Sequence, residues 1–182
     1  MHQTEEFLLG RIGDVQLLEL PYAGGELSML IALPQDRDGL PALEQRLSAE
    51  VISAWRDVMA PTQVEVALPR FRVAPAEGLS LAKPLSDLGM DAPFQRGEAD
   101  FTPMADGIPQ GELLIGAVFH KAFVEVDEVG TEAAAATAVL ITLGYAGSAD
   151  RAERFTADHP FLFFIRDRAG TILFMGRVAD LG

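Results

Sequence analysis

Two near-continuous apolar runs, "VQLLELPY" from Val15 and "ELSMLIALP" from Glu26, constrain this chain more than any other feature. A strand with one wet face alternates polar and apolar residues. These runs do not alternate, so they are predicted to be strands buried on both faces. Ala23, Gly24 and Gly25 lie between them and supply hairpin chemistry, and Pro34 ends the second run. A second pair of the same kind, "HPFLFFIRD" and "TILFMGRV", lies near the C-terminus, joined by Arg168, Ala169 and Gly170.

Such strands need covering elements, and the intervening sequence offers them. "GLPALEQRL" reads as a short helix with Pro41 in its first turn. Ser48 is placed to cap the next helix, "AEVISAWRDVM", in which Leu47, Val51, Trp55 and Met59 share a face. Trp55 is thus expected to be a core anchor. "VEVALPRFRV" alternates, with Val64, Val66 and Leu68 on one side, and Pro69 should make that strand bend or change partner. A short helix fits Ser80 to Leu88, closed by Gly89, with Pro84 early enough to be tolerated. Gly107 to Gly111 reads as a loop. "ELLIGAVFHKAFVEVDEVG" then reads as one long β-rich run, alternating from Ala117. No repeat and no domain-dividing linker is visible.

The bulk numbers narrow the function. At 182 residues, 49% hydrophobic and 23% charged, the chain is globular and long enough for a real core. A net charge of −13 argues against nucleic acid or an anionic membrane as partner. There is no cysteine, which excludes disulfides and thiolate metal sites. No apolar run approaches a bilayer span. "MHQTEEFLLG" lacks the basic start and long apolar core of a signal peptide. Either the chain is cytoplasmic or its true N-terminus lies upstream.

Little of the sequence points to catalysis. His2, His120 and His159 have no ligand-like spacing, so neither a metal nor another cofactor is expected. Asp127, Glu128 and Glu132 cluster in sequence, which reads as a solvated strand end rather than a carboxylate pair across a cleft. No phosphate-binding glycine motif and no nucleophile elbow is present. Nothing argues for an enzyme.

"EVGTEAAAATAVLIT", Glu128 to Thr142, is harder to place. Its alanines favour helix, and Thr131 could cap one with Glu132 in the first turn. Yet it lies between β-rich stretches and has no stripe of large apolar side chains with which to pack as a helix. It reads as a strand not yet in its sheet.

At this point the residues match a known pattern. "LPYAGGELSMLIALP", "VEVALPRF", "ADFTPMA", "HKAFVEVDEVGTEAAAATAV" and "FTADHPFLFFIRDRAGTILFMGRV" together resemble the serpins, the serine protease inhibitor family. The resemblance runs from end to end but is to the C-terminal half of a bacterial-type serpin. It implies an α+β, serpin-like fold: mostly antiparallel β-sheets (the B and C sheets plus two strands of sheet A), a few helices and an exposed reactive loop. Residues 1–182 would be the C-terminal portion of a single serpin domain, its N-terminal half absent, with the loop at about 128–155. The chain would then be a fragment, with Met1 an internal methionine, or else a natural half-length product.

The resemblance also implies a mechanism. The protease cuts the loop and forms an acyl-enzyme, and the cut loop inserts into a β-sheet, trapping the protease. Strand insertion of this kind is a known property of serpins. Under it the hinge would be Glu128, Gly130, Thr131, Glu132, Ala133, Ala134, Ala135, Ala136 and Thr137. The small side chains of this hinge would let a strand slide into a close-packed interior. The scissile region would be Leu143, Gly144 and Tyr145. No Arg or Lys lies between Ala122 and Asp150, which disfavours a trypsin-like target and suits a chymotrypsin- or elastase-like one. The partner would be a serine, or alternatively a cysteine, protease. Self-association through exposed sheet edges, or complementation by a missing N-terminal half, would also be expected. Secretion is what the family suggests. The alternatives are a non-inhibitory serpin, against which the "GTEAAAAT" hinge argues, and a truncated fragment with no trapping activity alone.

Overall fold

A computed structural model gives the architecture, and it describes residues 2–104, 106–126 and 152–180. By compactness these fall into two units, residues 1–73 with 125–182, and residues 74–124.

The first unit is built on one sheet. Its strands in chain order begin with β1 (His2–Ile12), β2 (Val15–Pro21) and β3 (Leu27–Pro34). Helices α1 (Leu40–Arg46) and α2 (Ala49–Trp55) follow, then β4 (Met59–Ala67) and β5 (Phe71–Val73). The second unit contributes β6 (Leu79–Ser80), α3 (Ala82–Asp87) and β7 (Phe119–His120). The chain returns through β8 (Val124–Val126) and ends with β9 (Glu153–Thr156), β10 (Phe161–Asp167) and β11 (Ile172–Val178). Seven of these strands form one sheet in the order β11-β10-β3-β2-β1-β4-β9. All of its pairings are antiparallel except β4 with β9. The α+β class and the dominance of antiparallel pairing are as expected.

The hairpin prediction holds. Gly24 and Gly25 take φ of +82° and +66° between β2 and β3, a conformation that side chains disfavour. Burial on both faces holds too. On one face Leu17, Leu30, Ala32, Leu162 and Phe164 pack with Leu40, Leu43 and Trp55 from the helical segment. Trp55 is 1% exposed and meets Phe164 edge to face, ring centroids 5.7 Å apart. On the other face Ile31, Phe161 and Phe163 are buried, and Phe71 stacks on both phenylalanines at 5.6 and 5.4 Å.

One polar cluster interrupts this apolar slab. Arg166 of β10 donates from Nε and Nη2 to both carboxylate oxygens of Glu19 of β2, at 3.1 and 2.7 Å. The pair reaches across β3 where that strand carries only Ser28, whose hydroxyl donates to Glu19 at 2.5 Å. Both charged side chains are largely covered, at 8% and 14% exposure. Burial pushes the Glu19 carboxyl up, but the bonds from Arg166 and Ser28 outweigh it and hold it below its ordinary range.

Other local readings also hold. Pro41 sits in the first turn of α1, and the Ser48 hydroxyl accepts from the Val51 N–H at 3.2 Å, capping α2. Val64, Val66 and Leu68 are buried together, and after Pro69 the chain leaves the large sheet for β5, which pairs with β8. α2 stops at Trp55, and Met59 opens β4 instead of continuing the helix, yet Leu47, Val51 and Met59 still pack on the same core.

Some elements depart from the sequence reading. β1 was not legible as a strand, because Glu5, Glu6 and Arg11 break its pattern. It forms because it has partners on both sides, β4 along His2–Gly10 and β2 along Leu8–Ile12. Among the described residues, the long β-rich run after Glu112 carries only the short strands β7 and β8. Its alternation survives in part, as half-buried Val118, Ala122, Val124 and Val126 against exposed Phe119, Lys121, Phe123 and Glu125, while His120, expected with the first set, is exposed. Pairing is what is missing, since β6 and β5 offer only two and three residues.

Within the second unit, Leu79 pairs with His120 and Ser80 with Phe119. α3 is capped at Leu88, whose N–H donates to the Pro84 carbonyl, and Gly89, φ +97°, follows it. Arg96 and Glu112 form an exposed ion pair at 3.0 Å.

Removing one partner of the Glu19–Arg166 pair leaves a covered charge alone. Arg166→Met is therefore expected to lower unfolding stability by about 3–5 kcal/mol in urea titration. Glu19→Met with Arg166→Met should cost clearly less than Arg166→Met alone. A double-variant loss equal to the sum of the Glu19→Met and Arg166→Met losses would mean the pair is not coupled.

Candidate functional site

The residues that the sequence marks as functional are Glu128, Gly130, Thr131, Glu132, Ala133, Ala134, Ala135, Ala136, Thr137, Leu143, Gly144 and Tyr145. All lie outside the described residues, as do Asp127 and Arg151. The two flanks of that segment are described, and they differ.

The upstream flank is β8. Its three residues are half-buried, exposed and half-buried in turn, and Glu125 meets Arg72 of β5 loosely, at 3.9 Å. Apolar cover here is slight because "VEV" offers one face of small side chains and β5 is short.

The downstream flank is tied into the large sheet. β9 runs parallel to β4, pairing Val64–Ala67 with Glu153–Thr156. Phe155 is fully buried. Arg154 donates to Glu65 at 3.0 Å, and Gln16 donates to the Arg154 carbonyl at 3.1 Å. Arg11 approaches Glu153 at 3.9 Å, and the Ala157 N–H donates to the Ala67 carbonyl.

Asp158 and His159 complete this anchor. Arg37 donates from Nη1 to the Asp158 carboxylate and from Nη2 to its carbonyl, each at 2.9 Å. His159 is buried, with Nε2 2.6 Å from the Pro34 carbonyl and Nδ1 2.7 Å from Asp158 Oδ1. A carbonyl can only accept, so Nε2 carries a hydrogen and donates. The β9–β10 connection is thereby tied to the end of β3. The bond from His159, then that from Arg37, hold the Asp158 carboxyl below its ordinary range. The sequence reading considered His159 only as a metal ligand and missed this role. Its signal was position, since "DHP" directly precedes the buried "FLFF" run.

Among the described residues no group of three or more His, Cys, Asp or Glu could hold a metal. His2 and His120 are exposed. Three surface cavities of about 330, 260 and 370 Å³ line the first unit. The first two mix arginines with carboxylates. Among the described residues no helix is long and apolar enough to cross a membrane.

The serpin (serine protease inhibitor) family profile matches residues 1–181. Human serpin B9 is 44% identical over 185 residues, covering 99% of this chain and 47% of that protein. Human leukocyte elastase inhibitor is 42% identical, covering 99% and 48%. Among solved structures, native protease nexin-1 with heparin aligns at a TM-score of 0.80 and 31% identity, covering 98% of this chain and 46% of that one. Uncleaved ovalbumin aligns at 0.78 and 30%, covering 99% and 47%. The chain belongs to the serpin family and carries its fold, and it spans about half the length of the curated relatives it matches.

These relatives correct one expectation. Secretion was inferred from the family at large. Serpin B9, serpin B6 and leukocyte elastase inhibitor are clade B serpins, a group that is typically intracellular rather than secreted.

The Asp158 clasp has a pH signature. Its folded pKa lies below the unfolded value of about 3.9, so its stabilisation is complete above that value and is lost as pH falls through the folded one. Asp158→Asn should therefore melt below the parent chain at neutral pH. The gap should close as the pH is lowered beneath the carboxylate range. A gap that widened in acid would contradict the assignment.

Proposed function

We propose that this chain is the reactive-loop half of a serine protease inhibitor that works by suicide inhibition. The observation that carries this is a match over 99% of this chain, and 47–48% of theirs, to serpin B9 and leukocyte elastase inhibitors. It is joined to a bait-like segment of small residues between a weak and a strong anchor. The domain is read as the C-terminal portion of one serpin domain, with the reactive loop at about residues 128–155. Its role is to be attacked rather than to catalyse.

The mechanism follows from the chemistry of the segment. A protease acylated by the cut loop stays attached to the upstream side of the break. Alternation puts Thr131, Ala133, Ala135, Thr137, Val139 and Ile141 on one face, with Glu132 on the face that can stay wet. A central strand of about a dozen residues gains ladders on both sides. At roughly 0.5–1.5 kcal/mol net per bond that amounts to on the order of ten kcal/mol. Burial of Val139, Leu140 and Ile141 adds about 1.5–3 kcal/mol each when complete. Insertion on that scale is effectively irreversible.

Leu143 and Tyr145 suit a chymotrypsin- or elastase-like specificity pocket, with the cut at Leu143, Gly144 or Tyr145. The partner is a serine protease of that class. Tested by themselves, these 182 residues span about half the length of the serpins they match. It is therefore proposed to be a substrate without trapping. It is also proposed to associate, through its free sheet edges, with a second copy or with a complementary half.

Incubation with pancreatic elastase or chymotrypsin, followed by a denaturing gel and mass spectrometry, tests this reading. The expected result is cleavage within Leu143–Tyr145 with no stable high-mass complex. A stable complex would overturn the half-length argument, and resistance to both enzymes would overturn the bait assignment. In a full-length serpin carrying this segment, Thr131→Arg or Ala133→Arg should convert trapping into turnover.

A further inference from the structure

The buried ring of His159 faces an acceptor at each of its nitrogens. Nε2 meets the Pro34 carbonyl and Nδ1 meets Asp158 Oδ1. The carbonyl fixes a hydrogen on Nε2, as argued above. The carboxylate decides the other nitrogen. Asp158 takes a second bond on Oδ2, from Arg37 Nη1, and its side chain is half exposed to water. Both keep it ionised, and an ionised carboxylate has no hydrogen to give. A neutral ring with its hydrogen on Nε2 would aim the Nδ1 lone pair at that oxygen. Only a ring with a hydrogen on each nitrogen makes both contacts.

We propose that His159 is held as an imidazolium, and that its charge is the pin that keeps the β9–β10 connection on the end of β3. The inference stands apart from the inhibitor reading, because it uses only groups that touch one another in the first unit.

The pin matters because β9 is short. It pairs four residues with β4, and the pin acts just past its end. Besides buried Phe155 it has the pairs Arg154–Glu65 and Glu153–Arg11, which are exposed and therefore weak. Other charges around the ring are already matched. Arg11 of β1, Asp14 of the β1–β2 turn and Arg154 of β9 line the same cavity as His159. Asp14 is paired with Arg46, and the two arginines with Glu153 and Glu65. Arg37, from the β3–α1 loop, is spent on Asp158. Asp158 is thus the charge the ring meets directly. The pin then works in a bounded pH window. At the acid end Asp158 takes up a proton. At the alkaline end the ring gives up its Nδ1 hydrogen, so the contribution of its charge is present at lower pH and is lost as pH rises.

Nitrogen-15 NMR reads the charge directly. About one unit above the ordinary imidazole value of about 6.5, His159 should show hydrogen-bearing shifts at both ring nitrogens, assigned by their loss in His159→Gln. A bare Nδ1 overturns the proposal. Hydrogen exchange of the β9 amides, read by mass spectrometry, tests the pin. His159→Gln keeps a donor for the Pro34 carbonyl but supplies no charge, and should speed β9 exchange roughly ten- to a hundredfold. His159→Lys brings back a cation with several donors and should restore protection. As pH is raised, β9 of the parent should approach the His159→Gln level, after correction for intrinsic rates, while His159→Lys stays protected. Equal loss in the two variants, or no loss in His159→Gln, overturns the proposal. Where His159→Gln loosens the whole sheet, recovery with lysine still supports a charge requirement, and failure to recover still refutes it.

Discussion

Double-sided burial of β2, β3 and β10 is the constraint from which the rest of the first unit follows. A sheet buried on both faces cannot slip by one residue without exchanging its two packed layers, so its register is strongly fixed. Trp55 and Phe164 mark one layer, and Phe71 with Phe161 and Phe163 the other. The Glu19–Arg166 pair adds a polar check. It closes over Ser28, whose hydroxyl also bonds Glu19. Such a pair contributes little net stability against an apolar substitute. What it adds is a cost to every wrong register, since a shift would bury both charges apart.

That rigid slab gives the downstream flank of residues 127–151 something to hold. β9 reaches the slab through β4 and β1, and the Arg37–Asp158–His159 set ties the next connection to the end of β3. β8, by contrast, has three residues of slight cover and one long ion pair. Local opening free energy tracks buried contact, so the upstream side should open first. Under the proposed mechanism the segment that travels after cutting is the one beside the weaker described flank.

The slab was legible in the sequence because apolar runs, turn glycines and a capping serine are local signals. Each names its own structure without knowledge of a partner. β1 was not legible, since a strand broken by Glu5, Glu6 and Arg11 becomes one only when β2 and β4 flank it. The run after Glu112 failed in the opposite direction. Its alternation was real, but alternation supplies a face and not a neighbour, and a strand without neighbours is short. The Asp158–His159 anchor escaped for a third reason. Its partners Arg37 and Pro34 lie more than a hundred positions away, and no spacing rule links them.

The contrast between the sheet's edges bears on how far this half-length chain can stand alone. Where the strand order ends at β9, short length and committed charges close the sheet off, as in a protein folded to be solitary. Where it ends at β11, Leu173, Phe174 and Met175 remain outside the core, and Ile172 and Val178 at the strand's ends are the parts that pack inward. Ile172 at one end of that strand is half-buried and Val178 at the other is buried, while its middle is exposed. The solved serpins it resembles hold this fold within a chain about twice as long, so other polypeptide is available there to lie on such an edge.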